Sequence, residues 1–197
     1  MIRALWLLLA SFFASSSWAF TEQDLAQQLA ASQVLRGDFV QEKYLRGLSM
    51  PLTSSGTFVL ANKNGLLWFV DKPIQKKYRI TAIGVAAFEQ GAWVLQSGQD
   101  AASRQSRLFL AVLEGDQQGL REDFHIQLTG SAQEWVLELE PKSLLLQQIF
   151  TRILVRGDLH VRSIELIEAQ GDRTLMRMQH IEQVEQLNAD EQQAFAA

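Results

Sequence analysis

The sequence predicts an α+β fold: one strongly curved antiparallel sheet with about three helices covering its concave face. Two observations carry this expectation. From Gly37 to Gln96, and again from Phe124 to His180, apolar residues recur at every second position in short runs punctuated by Gly, Pro, Asn and Asp, the mark of strands joined by tight turns. Helical spacing is confined to a few separate stretches and does not alternate with each strand, which favours segregated helices over a βαβ arrangement. A sheet of roughly nine to eleven strands must curl, and helices across its hollow side enclose an apolar space.

The chain opens with Met1-Ile2-Arg3, an apolar run from Ala4 to Phe13, and a small-residue tail ending in Ser17-Trp18-Ala19. That is the order of a cleavable signal peptide, residues 1–19, cut before Phe20. A membrane anchor needs roughly 20 apolar residues, and this run dissolves into serines well before that. Cysteine is absent, so no disulfide staples the fold and a hydrophobic core must hold it. Its absence also closes the route to a lipid-anchored lipoprotein, so the expected product is a soluble periplasmic body, residues 20–197, folded as a single domain. Lys and Arg are scattered in a chain of formal net charge −4. Without a basic stripe, nucleic-acid binding is not expected.

The first element of the body is a helix capped by Thr21, with Glu22 and Asp24 in its first turn and Leu25 and Leu29 at i, i+4, running up to Leu35. Strands follow at Gly56–Ala61, Leu66–Val70, Lys77–Thr81 and Ala92–Gln96. Asn64-Gly65 is the strongest hairpin signal among their turns. Ser103 to Glu114 returns to helical spacing and stops at Gly115. Alternation resumes through Phe124, Ile126 and Leu128, then through Trp135, Leu137 and Leu139. A short helix over Ser143–Gln148 feeds a strand from Ile149 to Arg156, and Gln170-Gly171-Asp172 joins a last hairpin, Ser163–Ala169 with Arg173–His180. Asn188 and Glu191 form a capping-box pattern for a closing helix.

Catalytic motifs are missing. His125, His160 and His180 lack the spacing of zinc ligands. No Gly-x-Ser-x-Gly elbow, Walker loop or dinucleotide glycine loop is present, so neither a metal nor another cofactor is called for. Acidic pairs such as Asp38 with Glu42 read as surface residues. The conspicuous side chains are apolar, with Trp68, Trp93 and Trp135 each in a strand.

A resemblance rests on Gly37-Asp-Phe-Val-Gln41-Glu-Lys, Leu52-Thr-Ser-Ser-Gly56-Thr-Phe-Val, Gly65-Leu-Leu-Trp68, Lys72-Pro73 and Tyr78-Arg-Ile-Thr81. This succession resembles the LolA-like outer-membrane lipoprotein carriers, and Ile164-Glu-Leu with Gly171-Asp172-Arg-Thr174 looks like the family's final hairpin. Leu48-Ser-Met-Pro51-Leu52-Thr-Ser-Ser-Gly56 is similar to a divergent LolA-related branch found with machinery for acylated pigments such as aryl polyenes. The resemblance implies a half-open β-barrel closed by helices, a non-enzymatic carrier that shields acyl chains in the periplasm. As partners it implies an inner-membrane release complex and an outer-membrane acceptor. LolA proper carries an Arg before a Pro between its Ser-x-Gly strand and the Trp. The corresponding Ala61-Asn62-Lys63-Asn64 has neither, so Lys63 marks the latch region without the planar fork of Arg.

The expected function is a monomeric carrier whose apolar cavity takes an acylated lipoprotein, lipid or polyene. Alternation selects Phe58, Leu60, Trp68, Tyr78, Ile80, Trp93, Leu95, Phe124, Ile126, Trp135 and Leu137 as the cavity face, a choice that a slip of one residue in any strand would invert. The alternatives are a lipoprotein-sensing adaptor and a hydrolase of acyl esters.

Overall fold

The computed structural model describes residues 19–96 and 101–196; the expected signal peptide lies almost wholly outside them. Helix α1 (Glu22–Ala30) leads into six strands: β1 (Val34–Tyr44), β2 (Leu52–Ala61), β3 (Gly65–Lys72), β4 (Lys76–Thr81), β5 (Gly84–Glu89) and β6 (Ala92–Leu95). Helices α2 (Ala101–Glu114) and α3 (Gln117–Asp123) interrupt the sheet. Strands β7 (Phe124–Ser131) and β8 (Glu134–Pro141), the short helix α4 (Leu144–Gln147), strands β9 (Phe150–Gly157), β10 (Val161–Glu168) and β11 (Arg173–Val184), and helix α5 (Ala189–Ala196) complete the chain.

All eleven strands form one sheet in the order β6-β5-β4-β3-β2-β1-β11-β10-β9-β8-β7. Every neighbouring pair is antiparallel, and the sheet does not close, leaving β6 and β7 as edges. The pairing of β1 with β11 joins the first and last strands at the middle. Gly56 permits the tight approach of β2 to β3, because a Cβ there would stand 1.9 Å from the Phe69 carbonyl oxygen.

Helices α1, α2 and α3 share one face, the inner face, where Leu25, Leu29, Phe109, Val112, Leu113 and Leu120 join a continuous core with Phe39, Phe58, Leu66, Trp68, Leu139, Ile153, Val155 and Met178. The outer face holds a second, smaller core of Val34, Val59, Ala61 and Leu67, packed with Trp93, Val184, Leu187, Ala194 and Phe195. Helix α5 covers that outer core. It is fixed by the Arg36 guanidinium, which donates to both carboxylate oxygens of Glu191 at 2.7 and 2.6 Å, and by Arg79, which donates to the Ala194 carbonyl.

Three expectations are corrected. The described residues hold five helices rather than about three, and one of the five lies on the outer face. The first helix ends at Ala30 rather than Leu35, because Val34 and Leu35 pair with Ala61 and Leu60 of β2 and face opposite cores; sheet pairing there overrides helical spacing. Helix α3 was hidden by its length, seven residues with one buried side chain, Leu120, although Asp116 caps it by accepting from the Gly119 N–H. The Thr21 cap and the Asn188–Glu191 capping box read from the sequence both form, and the Thr21 cap is itself a reciprocal box. Thr21 and Asp24 exchange bonds at 3.2 and 2.8 Å, and Asn188 and Glu191 at 2.8 and 2.9 Å.

Candidate functional site

Trp68 is the pivot of the inner face. Its ring lies flat on Phe39 at 3.8 Å between centroids, near-parallel to Phe58 at 6.1 Å, and takes the edge of Phe109 from α2 at 5.2 Å. Such pairs add about 0.5–1.5 kcal/mol each beyond the area they bury. Phe109 thereby clasps helix α2 to the sheet, and Leu110, Val112 and Leu113 of the same helix join the inner core beside it.

Beside this clasp, α2 and the sheet stay apart and leave a cavity of about 550 Å³, a size within the range of about 300–1,000 Å³ found for small-molecule sites. Its walls are Trp68, Val70, Ile80 and Val85 from one half of the sheet, Ile153, Ile164, Leu166 and Met176 from the other, and Leu108, Phe109 and Val112 from α2. Gln41, Ser54, Thr174, Tyr78 and Gln96 add polar groups on the sheet side, and Gln105 and Ser106 on the α2 side. Gln41 and Ser54 are register partners, so the sheet-side groups are neighbours. Pro73, Ile74 and Lys76 line the cavity and are exposed. A residue that does both stands at the mouth, which therefore opens at the β3–β4 connection.

Of the residues selected from the sequence, Trp68, Tyr78 and Ile80 line this cavity. Phe58, Leu60, Phe124 and Trp135 are buried in the inner core around it. Ile126 and Leu137 border a second, far smaller space under α1 and α3 with Leu25, Leu29 and Leu120. Trp93 and Leu95 are corrected: Trp93 packs into the outer core under the Arg79 guanidinium, 5.0 Å from its ring centroid, and Leu95 is exposed. Register shows why, since Trp93 and Leu95 oppose Phe88 and Ala86, on the opposite side of β5 from Val85. The run Val85-Ala-Ala-Phe88 is apolar throughout, so alternation there carries no phase.

The five cavity residues of β9, β10 and β11 and the five of α2 were not selected from sequence. Their strands and helix were legible, but nothing local says that the two halves of the sheet face a common space.

Lys63 sits in the β2–β3 turn with a left-handed backbone, φ +69. It meets the end of α2 through its main-chain N–H, which donates to the Glu114 carboxylate. Burial, and then the charge of Asp116, push that carboxyl up from its ordinary value against this hydrogen bond. Among the described residues, no group of three or more His, Asp or Glu side chains is placed to hold a metal ion. Burial pushes the His160 imidazole down, and His180 pairs with Asp38 at 2.8 Å on the surface. The arrangement is suited to sequestering an apolar chain beside a few amide and hydroxyl groups. Among the described residues, no helix is long and apolar enough to cross a membrane.

Comparison with solved structures finds the same fold in a LolA superfamily protein from Nitrosomonas europaea, at a TM-score of 0.53 and 9% identity, covering 87% of this chain and 97% of that one. A DUF1329 family protein from Desulfovibrio piger aligns at 0.47 and 14% identity over 85% and 93% of the two chains. The MucA/MucB complex of Pseudomonas aeruginosa aligns at 0.47 and 14% over 84% and 56%. Curated proteins return no match. The family described as "Outer membrane lipoprotein carrier protein LolA" matches residues 30–193, from the end of α1 to the middle of α5 and so across the whole sheet and cavity. The chain is therefore a divergent member of the LolA family.

Proposed function

We propose that this protein is a soluble periplasmic carrier, exported by its signal peptide, that shields the acyl chains of an outer-membrane lipoprotein, or of a related acylated lipid or polyene, between the inner and outer membranes. The observation that carries this reading is the apolar cavity between the inner face and α2. Its walls are assembled from both halves of the sheet and from α2. Each acyl CH₂ moved from water into such a space contributes about 0.8 kcal/mol, so one long chain offsets much of the cost of leaving a membrane. The sheet-side strip of Gln41, Ser54 and Thr174 suits the ester or amide where an acyl chain meets its head group. Release requires α2, which forms one wall of the cavity, to shift when an acceptor competes for the chain.

The test is titration of the purified protein with a fluorescent fatty acid, together with its capacity to keep an acylated lipoprotein soluble. Saturable binding near one chain per protein and protection from aggregation are expected. A protein that does neither is not a carrier.

A further inference from the structure

Two adjacent hairpin connections at the cavity mouth carry side chains that a folded protein normally hides. In β1–β2 these are Leu48, Met50 and Leu52, which are 54%, 76% and 55% exposed, and in β3–β4 it is Ile74, 67% exposed. Strand register places both at one end of the sheet, since Lys43 opposes Leu52 and Ser55 opposes Lys72. Leu144 and Leu145 of α4 are also exposed and stand at this end, because Ile149 bonds to Ala169 beside the β10–β11 turn. Ile83 and Leu159, at the opposite end, are isolated single residues in turns.

The same two connections are basic. Residues 43–52 and 71–77 contain Lys43, Arg46, Lys72, Lys76 and Lys77 against one acid, Asp71, in a chain whose formal net charge is −4. The acids nearest to them are displaced or engaged. Glu42, next to Lys43, pairs with Arg177 at 2.6 Å, Glu168 pairs with Lys43 at 3.6 Å, Asp172 accepts from the Arg46 N–H, and Glu89 and Glu140 lie toward the two flanks. Protruding apolar tips collared by cations combine the two attractions that hold a protein on an anionic bilayer, insertion of apolar groups and attraction to charged head groups.

We propose that this end of the sheet docks on an anionic phospholipid surface, placing the cavity mouth at the membrane. The carrier reading supplies the purpose of the docking, but the docking itself is measured without cargo. The protein is sedimented with vesicles of phosphatidylcholine, with or without phosphatidylglycerol, and its fatty-acid binding is titrated separately. The variants are Leu48→Ser with Met50→Ser, and Lys72→Gln with Lys77→Gln; none of these residues lines the cavity.

The expected result is binding to vesicles containing phosphatidylglycerol that weakens with salt. It should fall at least about tenfold in the Leu48/Met50 variant and about fivefold or more in the Lys72/Lys77 variant, with fatty-acid binding unchanged in both. Absent binding, or equal binding to both vesicles, overturns the proposal, and if fatty-acid binding persists the carrier reading survives alone. If the Leu48/Met50 variant loses fatty-acid and vesicle binding together, these residues shape the cavity, and the docking surface is refuted. If vesicles are ignored while the same substitutions abolish a complex with a membrane protein, the rim is a protein contact and the bilayer is excluded.

Discussion

Trp68 and Val85 do opposite jobs on one wall. Trp68 stacks on Phe39 and receives Phe109, so it holds the helix to the sheet, whereas Val85 is a small side chain bordering empty space. Replacing Val85 with Trp should fill the cavity, lowering fatty-acid affinity at least about tenfold, while overpacking costs no more than about 1–3 kcal/mol because the room already exists. A denaturant melt beside the titration separates the two effects. Two carboxylates make opposite pH predictions. Glu191 is held below its ordinary value of 4.5 by the Arg36 guanidinium and the Asn188 N–H. The folded form therefore binds its proton less readily than the unfolded form, and the stability it contributes is complete above that ordinary value and lost as pH falls through the lowered one. Glu191→Ala should cost about 1–3 kcal/mol at neutral pH, a difference that fades in acid. Glu114 is raised, chiefly by burial. Its ionised form weakens the fold, so Glu114→Gln should raise the melting temperature at neutral pH, with the gain shrinking as pH approaches 4.5.

At the scale of elements, α2 is the part that the carrier reading requires to move. It contributes Phe109, Leu110, Val112 and Leu113 to the inner core but spans a cavity beside them, whereas the central strands β1, β2 and β11 are paired on both sides. Phe109→Ala removes the clasp, and amide exchange in α2 should quicken well before exchange in β1, β2 or β11. Uniform quickening would mean that α2 is no separate unit. What was legible in the sequence follows the same division. Turns and caps were readable because Asn64-Gly65, Thr21 with Asp24, and Asn188 with Glu191 act through local geometry. The end of α1 and the side of the sheet covered by α5 were not, because each is decided by partners far along the chain: Ala61 for Val34, Arg36 for Glu191; α3 was missed because seven residues with one buried side chain leave too little helical spacing to read. Of the cavity, the wall on β3 and β4 was readable from alternation that starts at Trp68. The phase of β6 was not, because β5 reads apolar at every position from Val85 to Phe88.

At the scale of the molecule, an open sheet of eleven strands carries a helix layer on each face for different ends. The outer layer, α5, is tied by ion pair and cap to a small filled core. The inner layer leaves its space unfilled, with a mouth between basic, apolar hairpin tips. Such a space beside a complete core is what the proposed carrier role requires. The most direct measurement is extraction and mass spectrometry of the protein purified as expressed, in parallel with the Val85→Trp variant. Close to one acylated molecule per protein, missing from the variant, is the predicted result. A wild-type protein that carries no acyl chain and takes none up from a fluorescent fatty acid would contradict the account.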